Sequence, residues 1–331
     1  MIVWLQFGAC AAVILFAGVK LSYYGDIIAE KTGLGRTWIG VVLLASVTSL
    51  PELITGISSV ALFDVPDIAA GDVLGSCMFN VLIIALLDLM GGPSPLSARA
   101  HQGHILTAGM GIVLLGLVTV SLHLGSQMPS VGRVGMHSVA LVLLYLGAMR
   151  LVFTYEKRRV AEFVEKVEYK EHGEISGKRA YTMYGLNAGF IVAAATYLPH
   201  LGDEIARSTG LGQSFVGNVI IGASTSLPEI VVSLAALKMG AVDMAFGNLL
   251  GSNLFDMAIL GIDDVFYTRG VLTSHVSPSH QIAAVAAMTM TAVAVVGLTY
   301  RVARKRLFLA WDSWGIVAVY VLATTALYLS R

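Results

Sequence analysis

Two acidic side chains and a series of hydroxyl and amide groups interrupt the apolar runs of this 331-residue chain. Glu52 ends the sequence Thr-Ser-Leu-Pro-Glu, and Glu229 ends an identical copy 177 positions later. Charged groups are costly within an apolar segment, so ionisable residues found there are typical of functional sites. Hard cations such as Ca²⁺ take roughly six to eight oxygen ligands, which carboxylates, hydroxyls and amides supply. These residue types therefore indicate a site for a hard cation.

A second motif follows each Pro-Glu. Gly71 begins Gly-Asp-Val-Leu-Gly-Ser-Cys-Met-Phe-Asn, and Gly247 begins Gly-Asn-Leu-Leu-Gly-Ser-Asn-Leu-Phe-Asp, 176 positions later. Both motifs thus recur in the same order at nearly the same offset, and 15 of the 28 positions between 25 and 52 match their partners. The chain therefore contains an internal duplication. The motif region is 45–80 in the first copy and 222–256 in the second.

The spacing within each motif predicts which groups share a helix face. Residues four apart lie on one face of a helix, and in each copy a Thr precedes the Glu by four and a Ser precedes the final Asn or Asp by four. Each Pro also removes a backbone N–H and displaces the carbonyl four residues earlier, at Val47 and Ser224. The candidate ligands are the side chains of Glu52, Glu229, Asp256, Asn80, Thr48, Thr225, Ser76 and Ser252, with the carbonyls of Val47 and Ser224.

Composition predicts an all-α membrane protein. Hydrophobic residues make up 56% of the chain and charged residues 13%, against about 25% charged in soluble proteins, and the mean hydropathy is +0.78. A helix needs roughly 20 apolar residues to cross a bilayer. Ten segments fit, and they are approximately 2–22, 38–62, 67–90, 103–122, 134–153, 181–199, 214–238, 243–266, 281–300 and 312–330. We expect two five-helix repeats, 1–153 and 181–331, joined by 154–180.

The basic residues predict the orientation of these spans. Ten spans place seventeen Lys and Arg on one side of the membrane and four on the other, so the richer side is cytoplasmic. Both termini then lie outside, and the connecting segment 154–180 is cytoplasmic. That segment is interpreted as a solvated helix near the membrane, with a regulatory site as the alternative. Five crossings separate the two motif helices, so the repeats are expected to have inverted topology.

Other features of the chain exclude several classes of site. The net charge is zero, so nothing indicates a nucleic-acid partner. Cys10 and Cys77 lie in apolar runs without disulfide or metal-ligand spacing. The N-terminus lacks a basic region and cleavage site, so its apolar run is interpreted as a retained first span. No cofactor and no oligomeric state are indicated.

Several polar residues have a purely structural alternative. The Thr and Ser hydroxyls of the motifs could bond back to their own helices. Asn248 could join two helices instead of binding an ion, and Asp72 is a further ionisable group whose place is open. Asp88 and Asp264 correspond across the duplication and are expected at the headgroup level, near span ends.

The paired motifs resemble those of the cation/calcium antiporter superfamily, in particular its prokaryotic sodium/calcium exchangers. The resemblance covers essentially the whole chain and implies that Ca²⁺ leaves the cell as Na⁺ enters, by alternating access at one midplane site in the cell membrane. It implies a transporter rather than an enzyme. The residues it assigns to the site are Glu52, Glu229, Thr48, Ser49, Ser76, Asn80, Thr225, Ser226, Ser252 and Asp256. The chain departs from the family pattern at Val47, Ser224, Asp72 and Cys77.

Three other functions remain open at this point. A channel could use midplane oxygens as a filter, although paired repeats with broken helices favour a transporter. An intramembrane aspartyl protease could use Asp72 and Asp256, but it leaves the duplicated Pro-Glu unexplained. Within the transporters, proton/calcium exchange is the alternative to sodium/calcium exchange.

Overall fold

The computed structural model describes residues 1–32, 47–163, 175–305 and 308–330. These residues form ten α-helices of nine residues or more. They are α1 Ile2–Thr32, α2 Leu50–Ser58, α3 Pro66–Met90, α4 His104–Leu124, α5 Met136–Phe163, α6 Gly177–Thr209, α7 Leu227–Lys238, α8 Val242–Phe266, α9 His280–Tyr300 and α10 Trp311–Leu329. A two-residue antiparallel hairpin, Ser130–Val131 with Val134–Gly135, precedes α5. The predominantly helical fold agrees with the prediction from composition.

Seven helices in the described part of the chain are long and apolar enough to cross a membrane. They belong to α1, α3, α4, α5, α8, α9 and α10, and an eighth span is obtained if 213–225 and α7, which meet at 43°, count as one. The predicted segment 38–62 lies partly outside the described residues, and 181–199 lies within α6, which is not among the seven. The chain is a multi-pass helical membrane protein, and the number of ten spans stays a prediction.

Helices α3 and α8 form the centre of the molecule. Most of their apolar windows is buried, 72% for α3 and 89% for α8, against 28% for α1, α5 and α10. Both helices are 25 residues long and carry an aspartate in the first turn, Asp67 and Asp243. A negative charge there interacts favourably with the helix dipole and stabilises the helix. The second motif of each copy therefore lies inside the helix bundle.

Glycines let the backbones of the two copies touch. A Cβ added to Gly71 of α3 would lie 2.8 Å from the Cα of Gly217, and one added to Gly222 would lie 2.8 Å from the backbone nitrogen of Ser76. No side chain fits in either gap, so α3 contacts the Val216–Ile221 π-helix and the turn after it directly. This is the close packing expected of a small-xxx-small motif.

The remaining helices form two groups around this centre. α4, α5, α9 and α10 share the largest apolar core with α3 and α8. α1 packs along α6, and both contact the first-motif regions through residues such as Val47 and Ile221. α5 runs to Phe163 and α6 begins at Gly177, so the predicted segment 154–180 is described only at its ends.

Candidate functional site

The helix that carries each Pro-Glu is broken one residue before the Leu. Ser49 has φ −86° and ψ 14°, and Ser226 has φ −82° and ψ 10°, so the two copies share one non-helical conformation. Pro51 and Pro228 then occupy the first turn of α2 and α7. Backbone N–H groups in a first turn have no acceptor within the helix, so a proline there costs no helical hydrogen bond. As a result, both glutamates lie in the first turn of a new helix. In the second copy the helical segments on either side of this break meet at 43°.

Each glutamate accepts hydrogen bonds from one serine of its own copy and one of the other. Ser76 and Ser226 donate to Oε1 of Glu52 at 3.4 and 3.2 Å. Ser252 and Ser49 donate to Oε1 of Glu229 at 3.4 Å each. The contacts of Glu229 are therefore the contacts of Glu52 with the residues of the two copies interchanged. Six of the predicted site residues therefore make these four contacts, two of which join the copies.

The threonines repeat this reciprocal arrangement. Thr225 donates to Oδ1 of Asp72 at 2.7 Å, and Thr48 donates to Oδ1 of Asn248 at 3.4 Å. The same hydroxyls lie 3.4 Å from those of Ser76 and Ser252 respectively. Asp72 and Asn248, whose roles were open from sequence, are thus the acceptors for the two threonines.

Asn80 and Asp256 belong to a third reciprocal pair of contacts. Nδ2 of Asn80 donates to Oδ1 of Asn253 at 3.0 Å, and Sγ of Cys77 lies 3.5 Å from Oδ2 of Asp256. Nδ2 of Asn253 also donates to the Cys77 carbonyl at 3.1 Å. Sequence reasoning did not select Asn253. The signal was available, because Asn253 occupies the position that Cys77 holds in the first copy.

Val47 and Ser224 lie one turn before the two glutamates. Both are buried, Val47 among apolar residues of α1 and α6. The Ser224 hydroxyl bonds back to the Ile220 carbonyl at 2.7 Å, which is the structural alternative for a helix serine. The assignment of their own carbonyls as ion ligands stays a prediction.

The cluster contains buried oxygens that no protein group satisfies. Glu52, Glu229, Asp256 and Asn80 are at most 1% exposed. Among the described residues, one oxygen of each has no hydrogen-bond partner, and neither does Oδ2 of Asp72. Leaving a buried polar group unpaired costs roughly 1–3 kcal/mol, and more for a charged one. These unpartnered atoms are hard oxygens of the kind that Na⁺ and Ca²⁺ prefer as ligands.

The acidic groups do not converge on one point by themselves. In the described part of the chain, no three His, Cys, Asp or Glu side chains lie close enough to hold one metal ion together. Each glutamate is instead contacted by two serine hydroxyls, from Ser76 and Ser226 at Glu52 and from Ser49 and Ser252 at Glu229. A cation in this cluster would thus be held by carboxylates and neutral oxygens in combination.

Asp88 and Asp264 have structural roles away from the cluster. Asp88 accepts from the Leu96 and Ala310 backbones at 2.9 Å each and forms an ion pair with Lys305 at 3.0 Å. Asp264 accepts from the backbones of 135 and 272 and from the hydroxyl of 138 at 2.6–2.7 Å. Both aspartates are 1% exposed, and their hydrogen bonds connect loops to helix ends.

Two histidine–aspartate contacts also obey the offset of the second motif. Nε2 of His280 lies 2.9 Å from Oδ1 of Asp67, and Nε2 of His104 lies 3.1 Å from Oδ1 of Asp243. Each contact joins one copy to the other at the start of α3 or α8. Sequence reasoning missed these residues, although the 176-position offset relates both pairs.

Comparison with known proteins identifies a matching family model and two similar chains. A family model described as sodium/calcium exchanger protein matches residues 2–154 and 180–329. The sodium/calcium exchanger MaX1 of Methanosarcina acetivorans is 25% identical over 277 residues, 74% of this chain and 77% of that protein. The inner membrane protein YrbG of Escherichia coli is 25% identical over 254 residues, 75% of this chain and 74% of that protein.

The fold also matches a solved transporter. The sodium-calcium exchanger NCX_Mj, in a crystal soaked with 100 mM Na⁺ and 10 mM Sr²⁺, superposes with a TM-score of 0.63 at 18% identity. The match covers 98% of each chain. At this identity the likeness establishes the fold.

Proposed function

Because the chain belongs to the sodium/calcium exchanger family, we propose that it exchanges Ca²⁺ for Na⁺ by alternating access at the buried oxygen cluster. Family and fold support cation/calcium antiport. The observation that carries the finer proposal is the set of unpartnered oxygens on Glu52, Glu229, Asp256 and Asn80, all buried between the two copies. A cation that enters this cluster exchanges its own water ligands for these oxygens. The next ion must displace that cation in order to bind.

In this proposal the two glutamates supply most of the charge. Each presents one oxygen to two serines and leaves the other free for a cation. Asp256 and Asn80 add one free oxygen each. The remaining ligands are hydroxyls and carbonyls, namely those of Thr48, Ser49, Ser76, Thr225, Ser226, Ser252, Val47 and Ser224.

We interpret the two copies as inverted repeats of five helices each. Reciprocal contacts, in which residue i of one copy meets j of the other and j meets i, are those expected of halves related by a two-fold axis. An axis in the membrane plane makes the path to each side equivalent, which suits alternating access. The reciprocal Ser–Glu and Thr–Asp or Thr–Asn contacts support this interpretation.

Sodium is the favoured counter-ion because of the neutral oxygens. A proton needs only a carboxylate, whereas Na⁺ is a hard cation that needs several oxygen ligands. Four serine hydroxyls lie within 3.4 Å of the glutamates, and two threonine hydroxyls lie at the same distance from serines. These groups could hold monovalent ions at separate positions when Ca²⁺ has left.

The proposed location is the cell membrane of a prokaryote, with both termini outside. The seventeen-to-four distribution of basic residues supports this orientation. The name of the similar E. coli protein, an inner membrane protein, supports the compartment. Ca²⁺ efflux against Na⁺ influx then follows from the usual inward Na⁺ gradient.

The test is ⁴⁵Ca²⁺ uptake by proteoliposomes loaded with Na⁺, with external Na⁺, K⁺ and pH varied one at a time. We expect uptake at fixed pH when the vesicles contain more Na⁺ than the outside medium, and none when they contain no Na⁺. Uptake by vesicles that contain no counter-ion would indicate a channel and contradict the proposal.

Proton/calcium exchange is the second candidate, favoured by the number of buried carboxylates. Glu52, Glu229 and Asp256 are all buried in one cluster and could take up protons when Ca²⁺ leaves. A pH gradient that drives equal uptake in the complete absence of Na⁺ would replace the sodium proposal by this one.

A further inference from the structure

A further buried carboxylate lies beyond the central cluster. Asp263 of α8 is fully buried, and neither of its carboxylate oxygens has a hydrogen-bond partner among the described residues. The hydroxyl of Thr55, also fully buried, is likewise without a partner there. Neither residue belongs to the two motifs, and the proposed exchange reaction does not use them.

The position of Asp263 depends on a glycine in α2. A Cβ added to Gly56 would lie 2.7 Å from Cγ of Asp263, so the carboxyl group rests directly against the backbone of α2 beside Thr55. Oδ2 of Asp72 on α3 is unpartnered as well. Helices α2, α3 and α8 pack against one another, so the unsatisfied oxygens belong to three adjacent helices.

This region continues from the central cluster along shared helix faces. Thr55 and Gly56 follow Glu52 by three and four positions, which places them on the same face of α2. Asp263 follows Asp256 by seven positions, two turns or roughly 10 Å along the same face of α8. The oxygens therefore extend from the central cluster toward the C-terminal end of α8.

The other side of the cluster has no equivalent region. The duplication relates Asp263 to Leu87, Thr55 to Val232 and Asp72 to Asn248. Two apolar side chains and one neutral amide thus replace two acids and a hydroxyl. The feature is consequently not a by-product of the duplication, and it distinguishes one side of the molecule from the other.

A packing role alone does not account for these residues. A protonated Asp263 would donate its O–H to an acceptor, but neither oxygen has a hydrogen-bond partner in the described part of the chain. Burying an unpaired polar group costs roughly 1–3 kcal/mol by mutational measures, and an apolar residue such as the related Leu87 would avoid that cost. A hard cation that keeps part of its water is the kind of ligand that such oxygens bind.

We propose that Asp263, Thr55 and the free oxygen of Asp72 form a second cation-binding site on one side of the central cluster. Its ligand is a hard cation, Na⁺ or Ca²⁺, on the way to or from Glu52 and Asp256. The identity of these ions rests on the proposed function. With the orientation proposed above, α8 runs outward, so the site serves ions exchanged with the exterior.

Equilibrium binding in detergent tests the site independently of transport. In Glu229→Gln, whose central cluster is weakened, we expect a residual weak component of ⁴⁵Ca²⁺ or ²²Na⁺ binding, and the isotope that shows it identifies the ion. Adding Asp263→Asn should remove that component while the protein stays folded by size-exclusion chromatography. A single-mutant protein without residual binding of either ion, or a double mutant that keeps it, overturns the proposal.

Transport measured from each face tests the one-sidedness. In right-side-out and everted vesicles, Asp263→Asn should raise the apparent KM for the cation about tenfold on the outer face and leave the inner face unchanged. Thr55→Val should act in the same direction but less. The matched control is Thr291→Val, because that buried hydroxyl bonds to its own helix at Ala287 at 2.7 Å. Equal shifts on both faces, or no shift in folded Asp263→Asn, contradict the proposal.

Failure of the proposed function would look different from failure of this site. If Na⁺ does not drive Ca²⁺ uptake in the wild type, the exchange proposal is wrong, whereas the detergent binding result still decides whether Asp263 binds a cation.

Discussion

Replacing Glu229 by Gln tests the central cluster with the smallest change of shape. The amide retains an oxygen that can accept from Ser49 and Ser252, now 3.4 Å from Oε1, and removes one negative charge. Two unit charges about 4 Å apart interact by roughly 4 kcal/mol at an effective dielectric constant near 20, and a divalent ion about doubles this. Burying the glutamate charge costs several kcal/mol of desolvation free energy, and removing the charge recovers that cost, which offsets part of the lost attraction.

The net loss of Ca²⁺ binding free energy should then be about 4 kcal/mol, roughly a thousandfold in Kd. We expect Ca²⁺ uptake in proteoliposomes to fall below detection, with expression, elution volume and Tm close to wild type. Glu52→Gln should behave the same way, because its contacts are the reciprocal ones. Glu204→Gln is the matched control, since Glu204 is exposed on α6. Near-normal uptake by folded Glu229→Gln would refute the assignment.

Three further results are expected. A small thiol reagent should inhibit transport by the wild type, and bound Ca²⁺ should protect against it, because Sγ of Cys77 lies 3.5 Å from Asp256. The Cys77→Ala variant should resist the reagent. Inhibition that persists in this variant would indicate that the reagent acts at Cys10. A protease site inserted in 154–180 should be cut only in everted vesicles, and cleavage in intact spheroplasts would reverse the orientation. Asp264→Asn should lower Tm by weakening three hydrogen bonds, at about 1 kcal/mol each, without altering the KM for Ca²⁺; an unchanged Tm contradicts the structural role given to Asp264.

The sequence was sufficient to predict the helical class and most members of the candidate cluster. Thr48 precedes Glu52 by four positions and Ser76 precedes Asn80 by four, and the recurrence of both motifs in the second copy made chance an unlikely explanation. The structure adds which copy each residue meets. Ser226 contacts Glu52 and Ser49 contacts Glu229, because the two broken helices lie side by side. Such cross-copy partners depend on packing and cannot be obtained from local spacing.

Asp263 and the histidine–aspartate contacts show a different limit. Asp263 follows Asp256 by two turns, yet nothing local indicates that Gly56 leaves room for its carboxyl group. His280 and Asp67 are 213 positions apart, and only the fold reveals their 2.9 Å contact. Local periodicity predicts faces of helices, whereas the partner on the opposing face depends on the whole arrangement of the bundle.

The sharing of each glutamate between the copies has a consequence for the integrity of the protein. Glu52 holds Ser76 of its own half and Ser226 of the other, and Glu229 holds Ser252 and Ser49 in the same manner. In the proposed function, a cation bound there would be a reversible cross-link between two halves of one chain. A ligand at a hundred times its Kd stabilises the state that binds it by about 2.7 kcal/mol. We therefore expect the two halves to be held together more firmly in the ion-loaded protein than in the empty one.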